Sequence, residues 1–124
     1  MLASGSYAQS HSLGPLGRLV AYSHAGVEPR IMGSSPVPAV RMVLDRACLK
    51  RACLKRACLK RACLKVDDID VFEVNEAFAA QAVAVIGELG LRPEGTNPNG
   101  SGISLGHPVA ATGTILVVKA LAPR

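Results

Sequence analysis

The amino-acid sequence predicts an α/β fold in which strands alternate with buried helices, and an incomplete one. Two short apolar runs bounded by turn residues read as strands, and each leads into a stretch of helix formers. Two of the helical stretches carry almost no polar face, so each requires cover on every side. At 124 residues the chain has the size of one small domain, able to bury roughly two-thirds of its unfolded surface. So few strands can hardly supply the cover that those helices need.

The first strand is residues 19–24, ended by Gly26 and Pro29. Residues 32–36 form a loop in which Ser35 is placed to cap a helix with Pro36 in its first turn. That helix runs through Val40, Val43 and Leu44 into a stretch of Ala, Leu, Arg and Lys, all residues that favour helix. Asp67 and Asp68 make a turn, and residues 69–74 are the second strand. Asn75 then opens a helix over residues 76–89, which Gly90 closes from just past its end. A Gly-rich loop over 97–106 precedes the last helix, residues 108–121, apolar on most sides and stopped by Pro123.

Of the residues, 49% are apolar, mostly Ala, Val and Leu, with two Tyr, two Phe and no Trp, a composition that argues against disorder. No apolar run approaches a bilayer-spanning length. The opening Met1-Leu2-Ala3-Ser4-Gly5-Ser6 has no charged segment followed by an apolar one, so no signal peptide and a cytoplasmic setting are expected. The net charge of +5 invites nucleic acid or anionic lipid as partner. Its origin withdraws the invitation. Residues 46–65 read Arg-Ala-Cys-Leu-Lys four times without deviation, each copy with two positive charges and no negative one. Three copies outweigh the whole net charge, so the remainder is close to neutral. The same repeat holds all four cysteines, which therefore say little about redox compartment.

Five residues are too few for a supersecondary unit. On a helix the unit turns through about 500°, roughly 140° past one full turn. Leu49, Leu54, Leu59 and Leu64 then spiral around the axis with Cys48, Cys53, Cys58 and Cys63, and no stripe forms for a core or coiled coil. Cysteines so spaced point in different directions, unlike the close pairs of a zinc site. The segment lacks aromatic residues for base stacking and a charge-free face for lipid. It reads as a recent tandem duplication, and none of its cysteines is singled out as a nucleophile.

Two segments carry chemistry. In Asn75-Glu76-Ala77-Phe78-Ala79, Asn75 is either a helix N-cap or an amide that holds a water or substrate oxygen beside the helix dipole; both readings stand at this level. In Asn97-Pro98-Asn99-Gly100-Ser101-Gly102-Ile103-Ser104-Leu105-Gly106-His107-Pro108, followed by Ala111-Thr112-Gly113, the glycines allow close backbone approach. His107, between Gly106 and Pro108, has a stiff, exposed placement that suits a positioned base; a loop histidine without a role is the alternative. His11 and His24 have only that alternative.

The combination resembles a known family. Arg18-Leu19-Val20-Ala21-Tyr22, Gly26-Val27-Glu28-Pro29, Met32-Gly33 and Pro36-Val37-Pro38-Ala39-Val40 are similar to the opening of the C-terminal half of the thiolases. Val66-Asp67-Asp68-Ile69-Asp70, Asn-Glu-Ala-Phe-Ala and Gly-His-Pro come next, in that family's order. The resemblance covers nearly all of residues 1–124 outside the extra repeat copies, and is to the acetyl-CoA acetyltransferase and 3-ketoacyl-CoA thiolase branches. It implies a partial thiolase-like fold, one half of a five-layered whole whose middle helices are buried, with the repeat 46–65 inserted in a helix. It also implies an acyltransferase that joins or cleaves acyl units held as CoA thioesters, with those substrates and no separate cofactor. His107 would be the base for a nucleophilic Cys, and His107 with a water held by Asn75 would form an oxyanion hole for the thioester enolate. Ala77 and Phe78 match positions lining the pantetheine channel, and Gly106 is placed with them in substrate binding.

The implied partners are CoA or acyl-CoA, a thiolase N-terminal half if that is encoded separately, and further copies of the chain, since the family is homo-oligomeric; neither nucleic acid nor a membrane is implied. In a eukaryote the compartment would be mitochondrial or peroxisomal. The sequence also departs from the pattern. Both catalytic cysteines of the family lie in segments that this sequence does not contain, so the chain alone is expected to be inactive. Ala110 stands where Gly is usual, and the pentapeptide occurs once in the family, typically with Gly for Cys. Three extra copies would lengthen a continuous helix by roughly 22 Å and rotate the downstream chain by about 60°, so the insert is expected to protrude as a helix end or loop. A non-catalytic CoA-binding or subunit-interaction module is the competing function, with the repeat as a nucleic-acid or membrane binder behind it. A thiolase-type site requires the His107 imidazole and the Asn75 amide to face one another across it.

Overall fold

The computed structural model describes residues 1–54 and 64–121, the side chains of 48–54 excepted. Along the chain come α1 (Gly5–Ser10), a 3-10 segment (Pro29–Ser34), α2 (Pro36–Leu54), a 3-10 turn (Val66–Asp68) and α3 (Ala79–Leu89). A second 3-10 turn (Pro93–Gly95), α4 (Gly102–Leu105) and α5 (Thr112–Leu121) complete it.

Among the described residues the expected alternation of strands and helices is not confirmed. Among the described residues the β-type pairing is one isolated parallel bridge, Phe72 with Thr96. Phe72 N donates to the Gly95 carbonyl and Asn97 N to the Phe72 carbonyl, both at 2.8 Å. A strand is completed by its neighbour, and an apolar run with no neighbouring ladder stays merely extended. Residues 19–28 are instead tied to α2 by side chains: Ser23 Oγ donates to the Ala39 carbonyl at 2.6 Å, and Arg46 Nη1 to the Tyr22 carbonyl at 2.8 Å.

The starts of all three expected helices differ from expectation, and α5 begins at Thr112 where Pro108 is expected. Ser35 has helical backbone angles (φ −54°, ψ −30°), so the 3-10 segment runs directly into α2 and Ser35 is not a flanking cap. Pro36 and Pro38 still occupy the first turn, where a missing N–H costs nothing. α2 continues through the first repeat copy to Leu54. Residues 55–63, where most of the expected protrusion falls, lie outside the described residues. The N-cap of α3 is Phe78 in an extended conformation, so Asn75 is not the cap and the helix begins three residues later than expected. The end of α3 is as expected. Gly90 is left-handed (φ 64°, ψ 38°), Gly90 N donates to the Gly87 carbonyl and Leu91 N to the Ile86 carbonyl, a Schellman closure.

Val37 of α2, Val85 and Leu89 of α3, and Leu91 form the core, with Val40, Val66, Phe72, Val74 and Ile86 packed against it. α3 buries one face, Ala82, Val85 and Leu89, spaced as one side of a helix. Its opposite face is open, with Val83 exposed. In α5 the buried residue is Thr112, while Val117 and Val118 are exposed. The two apolar helices are thus covered on one side only by this chain. Among the described residues no helix is long and apolar enough to cross a membrane.

Candidate active site

The short bridge at Phe72 sets residues 72–76 beside residues 95–97, and side chains extend the pairing. Asn97 has a left-handed backbone (φ 50°), which Asn tolerates better than most residues. Its side chain then imitates a neighbouring strand: Oδ1 accepts from Val74 N at 2.7 Å, and Nδ2 donates to the Val74 carbonyl at 2.9 Å. Ser101 Oγ donates to the same carbonyl at 2.7 Å. Glu76 reaches back from the other side. One carboxylate oxygen accepts from Asn97 Nδ2 at 3.3 Å, the other from Ile103 N at 3.2 Å in the first turn of α4.

The backbones also meet closely at Gly102. A Cβ there would lie 2.9 Å from the Glu76 carbonyl oxygen and 3.0 Å from Asn75 Oδ1, so only a glycine lets α4 approach this far. α4 ends at Gly106, whose φ of +91° turns the chain into His107 and suits glycine alone.

These ties bring together the two residues singled out from the sequence. Asn75 Nδ2 lies 3.3 Å from His107 Nε2. The imidazole is also held from behind, with Nδ1 2.7 Å from Thr112 Oγ1. Thr112, buried at the start of α5, gives its own hydroxyl proton to the Pro108 carbonyl at 3.0 Å. The hydrogen-bond network therefore assigns the tautomer from both ends. The Thr112 oxygen receives Nδ1–H, and Nε2 keeps its lone pair toward the Asn75 amide. A neutral imidazole in that state can accept a proton at Nε2 and then donate it from the same place.

Ala77 and Phe78 lie next in the exposed link to α3, and nothing ties them to His107 by hydrogen bonds. Asn75 Oδ1 is buried without a hydrogen-bond partner. His11 sits apart, its ring stacked on Tyr7 with centroids 4.0 Å apart, and His24 is exposed. Sequence reasoning missed Asn97, Glu76, Ser101 and Thr112. The available signal was the Asn-Pro-Asn-Gly turn at residues 97–100 and the hydroxyl five residues after His107. The four cysteines have side chains outside the described residues.

Comparison with known proteins agrees on one family. The family model of the thiolase C-terminal domain matches residues 51–123. The beta-ketothiolase BktB of Cupriavidus necator is 54% identical over 114 residues, 92% of this chain and 25% of the relative. The cytosolic acetyl-CoA acetyltransferase of Rattus norvegicus is 40% identical over 121 residues, 98% of this chain and 27% of the relative. Among solved structures, the Bacillus anthracis acetyl-CoA acetyltransferase is similar with a TM-score of 0.78 and 42% identity, covering 95% of this chain and 26% of that one. Human mitochondrial 3-ketoacyl-CoA thiolase in complex with CoA gives a TM-score of 0.82 and 37% identity over 96% of this chain and 26% of that one. The chain thus spans about a quarter of the length of the curated relatives it matches. The shared length is short, but the fold, the motifs and the match over 51–123 converge: the chain belongs to the thiolase family and carries part of its C-terminal domain.

Proposed function

We propose that this chain supplies one wall of an acyl-CoA-condensing or acyl-CoA-cleaving site, with His107 as the base and Asn75 as the amide that holds a water or substrate oxygen. The observation that carries the reading is the 3.3 Å contact of Asn75 Nδ2 with His107 Nε2, on an imidazole whose other nitrogen is engaged by Thr112. Nε2 takes the proton of a cysteine thiol, leaving a thiolate able to attack a thioester carbonyl. The protonated nitrogen then becomes a donor to the oxygen on which negative charge develops, beside the amide of Asn75. Among the described residues the partners of His107 are an amide and a hydroxyl; by the family resemblance, the thiolate is assigned to another segment of the assembled enzyme. CoA thioesters are the substrates, and no further cofactor enters. In that assembly the extended segments 19–28 and 69–74 gain strand neighbours, and the open faces of α3 and α5 gain cover.

The test places this chain in the matching quarter of the Cupriavidus necator beta-ketothiolase and monitors CoA-dependent cleavage of a 3-ketoacyl-CoA. The chimera is expected to be active, and His107→Ala to lower its kcat by about 10²–10⁴-fold. Full activity in both His107→Ala and Asn75→Ala chimeras would defeat the assignment. The chain alone is expected to show no turnover; thiolysis by the isolated chain would show that it needs no second segment.

A further inference from the structure

Lys119 lies seven residues beyond Thr112 on α5, a spacing that returns to nearly the same helix face. Thr112 holds the imidazole, and Lys119 holds the other side of the same site. Its ammonium donates to Glu73 Oε2 at 2.6 Å and to the Gly100 carbonyl. The pair is nearly dry, with side-chain exposures of 12% for Lys119 and 5% for Glu73. Glu73 stands two residues before Asn75 in the same extended segment. Gly100 belongs to the loop that delivers His107. One face of α5 therefore grips the histidine at one end and both backbone segments of the site at the other.

Desolvation offsets most of the attraction in a buried ion pair, so such a pair is a poor source of stability alone. Its value here is directional: the ammonium has three donors, and the two partners named fix where each segment lies against α5. We propose that Lys119 is a positioning residue that sets the separation of Asn75 and His107. Its part in turnover rests on the proposed function above, whereas its part in the geometry does not.

The test uses the full chain with ¹⁵N-labelled histidine. Far-UV circular dichroism reports folding, and the ¹⁵N shifts of His107 report how far the ring is protonated at Nδ1 alone. The double variant Lys119→Met, Glu73→Leu removes both charges together and leaves none buried without a partner. It is expected to keep the native dichroism while the His107 signals move toward a mixture of tautomers. Glu73→Gln, which keeps an acceptor for the ammonium, is expected to retain the parent signals. Unchanged His107 shifts in a folded double variant would overturn the proposal. In the active chimera the double variant should lose kcat on the order of a hundredfold, as misplacement by about 1 Å can, with KM changed by less than about threefold. An inactive parent chimera would sink the functional reading and leave the histidine spectra to judge Lys119.

Discussion

Thr112 shows how much of the candidate site depends on a residue that acts through His107. Its hydroxyl receives the Nδ1–H of His107 and passes its own proton to Pro108, which leaves Nε2 free to act. Thr112→Val keeps the shape and removes the acceptor. A hydrogen bond of this kind contributes about 0.5–1.5 kcal/mol, and about 1.4 kcal/mol is a tenfold ratio. The preference for the Nδ1–H tautomer should therefore fall by up to about tenfold. Thr112→Ser should keep it. Both are read from the ¹⁵N shifts of His107, and an unchanged ratio in Thr112→Val would mean that another group sets the tautomer. At this scale the sequence was informative about His107 and Asn75, because the residues around them form specific motifs. It was silent on Asn97, Glu76 and Ser101, whose roles lie in bonds to backbone 23 to 27 positions away.

Among the elements, helix ends were legible where chemistry leaves one choice, as at Gly90, whose left-handed angles favour a residue without Cβ. Helix starts were not. Asn75 is a strong N-cap type, yet His107 engages Asn75 and Ile103 engages Glu76, and α3 begins only after Phe78. The strands are not confirmed among the described residues, because an apolar run reports a surface to be buried and says nothing about a partner; here Asn97 does a partner's work at Val74. Asn97→Ala should cost about 1–3 kcal/mol, the penalty of leaving the Val74 N–H without an acceptor. The left-handed backbone of Asn97 adds strain for Ala. Asn97→Gly separates the two effects, since it relieves the strain and still lacks the acceptor. Urea unfolding should rank parent, then Asn97→Gly, then Asn97→Ala. Equal stability of parent and Asn97→Ala would show that the side-chain pairing adds nothing.

For the molecule as a whole, the open faces of α3 and α5 match the expectation that the chain cannot cover its own apolar helices. The repeat poses the sharper question, because it divides two parts that pack together: Ala47, in its first copy, is buried, and Val66, just past its last copy, packs against the core. A duplication without a selected role acts as added loop, and loop closure costs about 0.6 kcal/mol for each doubling of length. Deleting residues 51–65 leaves one copy, and it brings Lys50 to the place of Lys65, whose backbone N–H bonds the Asp68 carboxylate. The connection from Ala47 to Val66 shortens from 18 intervening residues to three. Closure entropy alone should then stabilise the fold by about 1–2 kcal/mol, read as a higher urea midpoint with an unchanged slope. The deletion also removes six positive charges from a chain whose net charge is +5. Any affinity for DNA or anionic vesicles that depends on the repeat should vanish with it, while the His107 signals stay as in the parent. A lower midpoint, or altered His107 shifts, would mean that the extra copies are built into the fold.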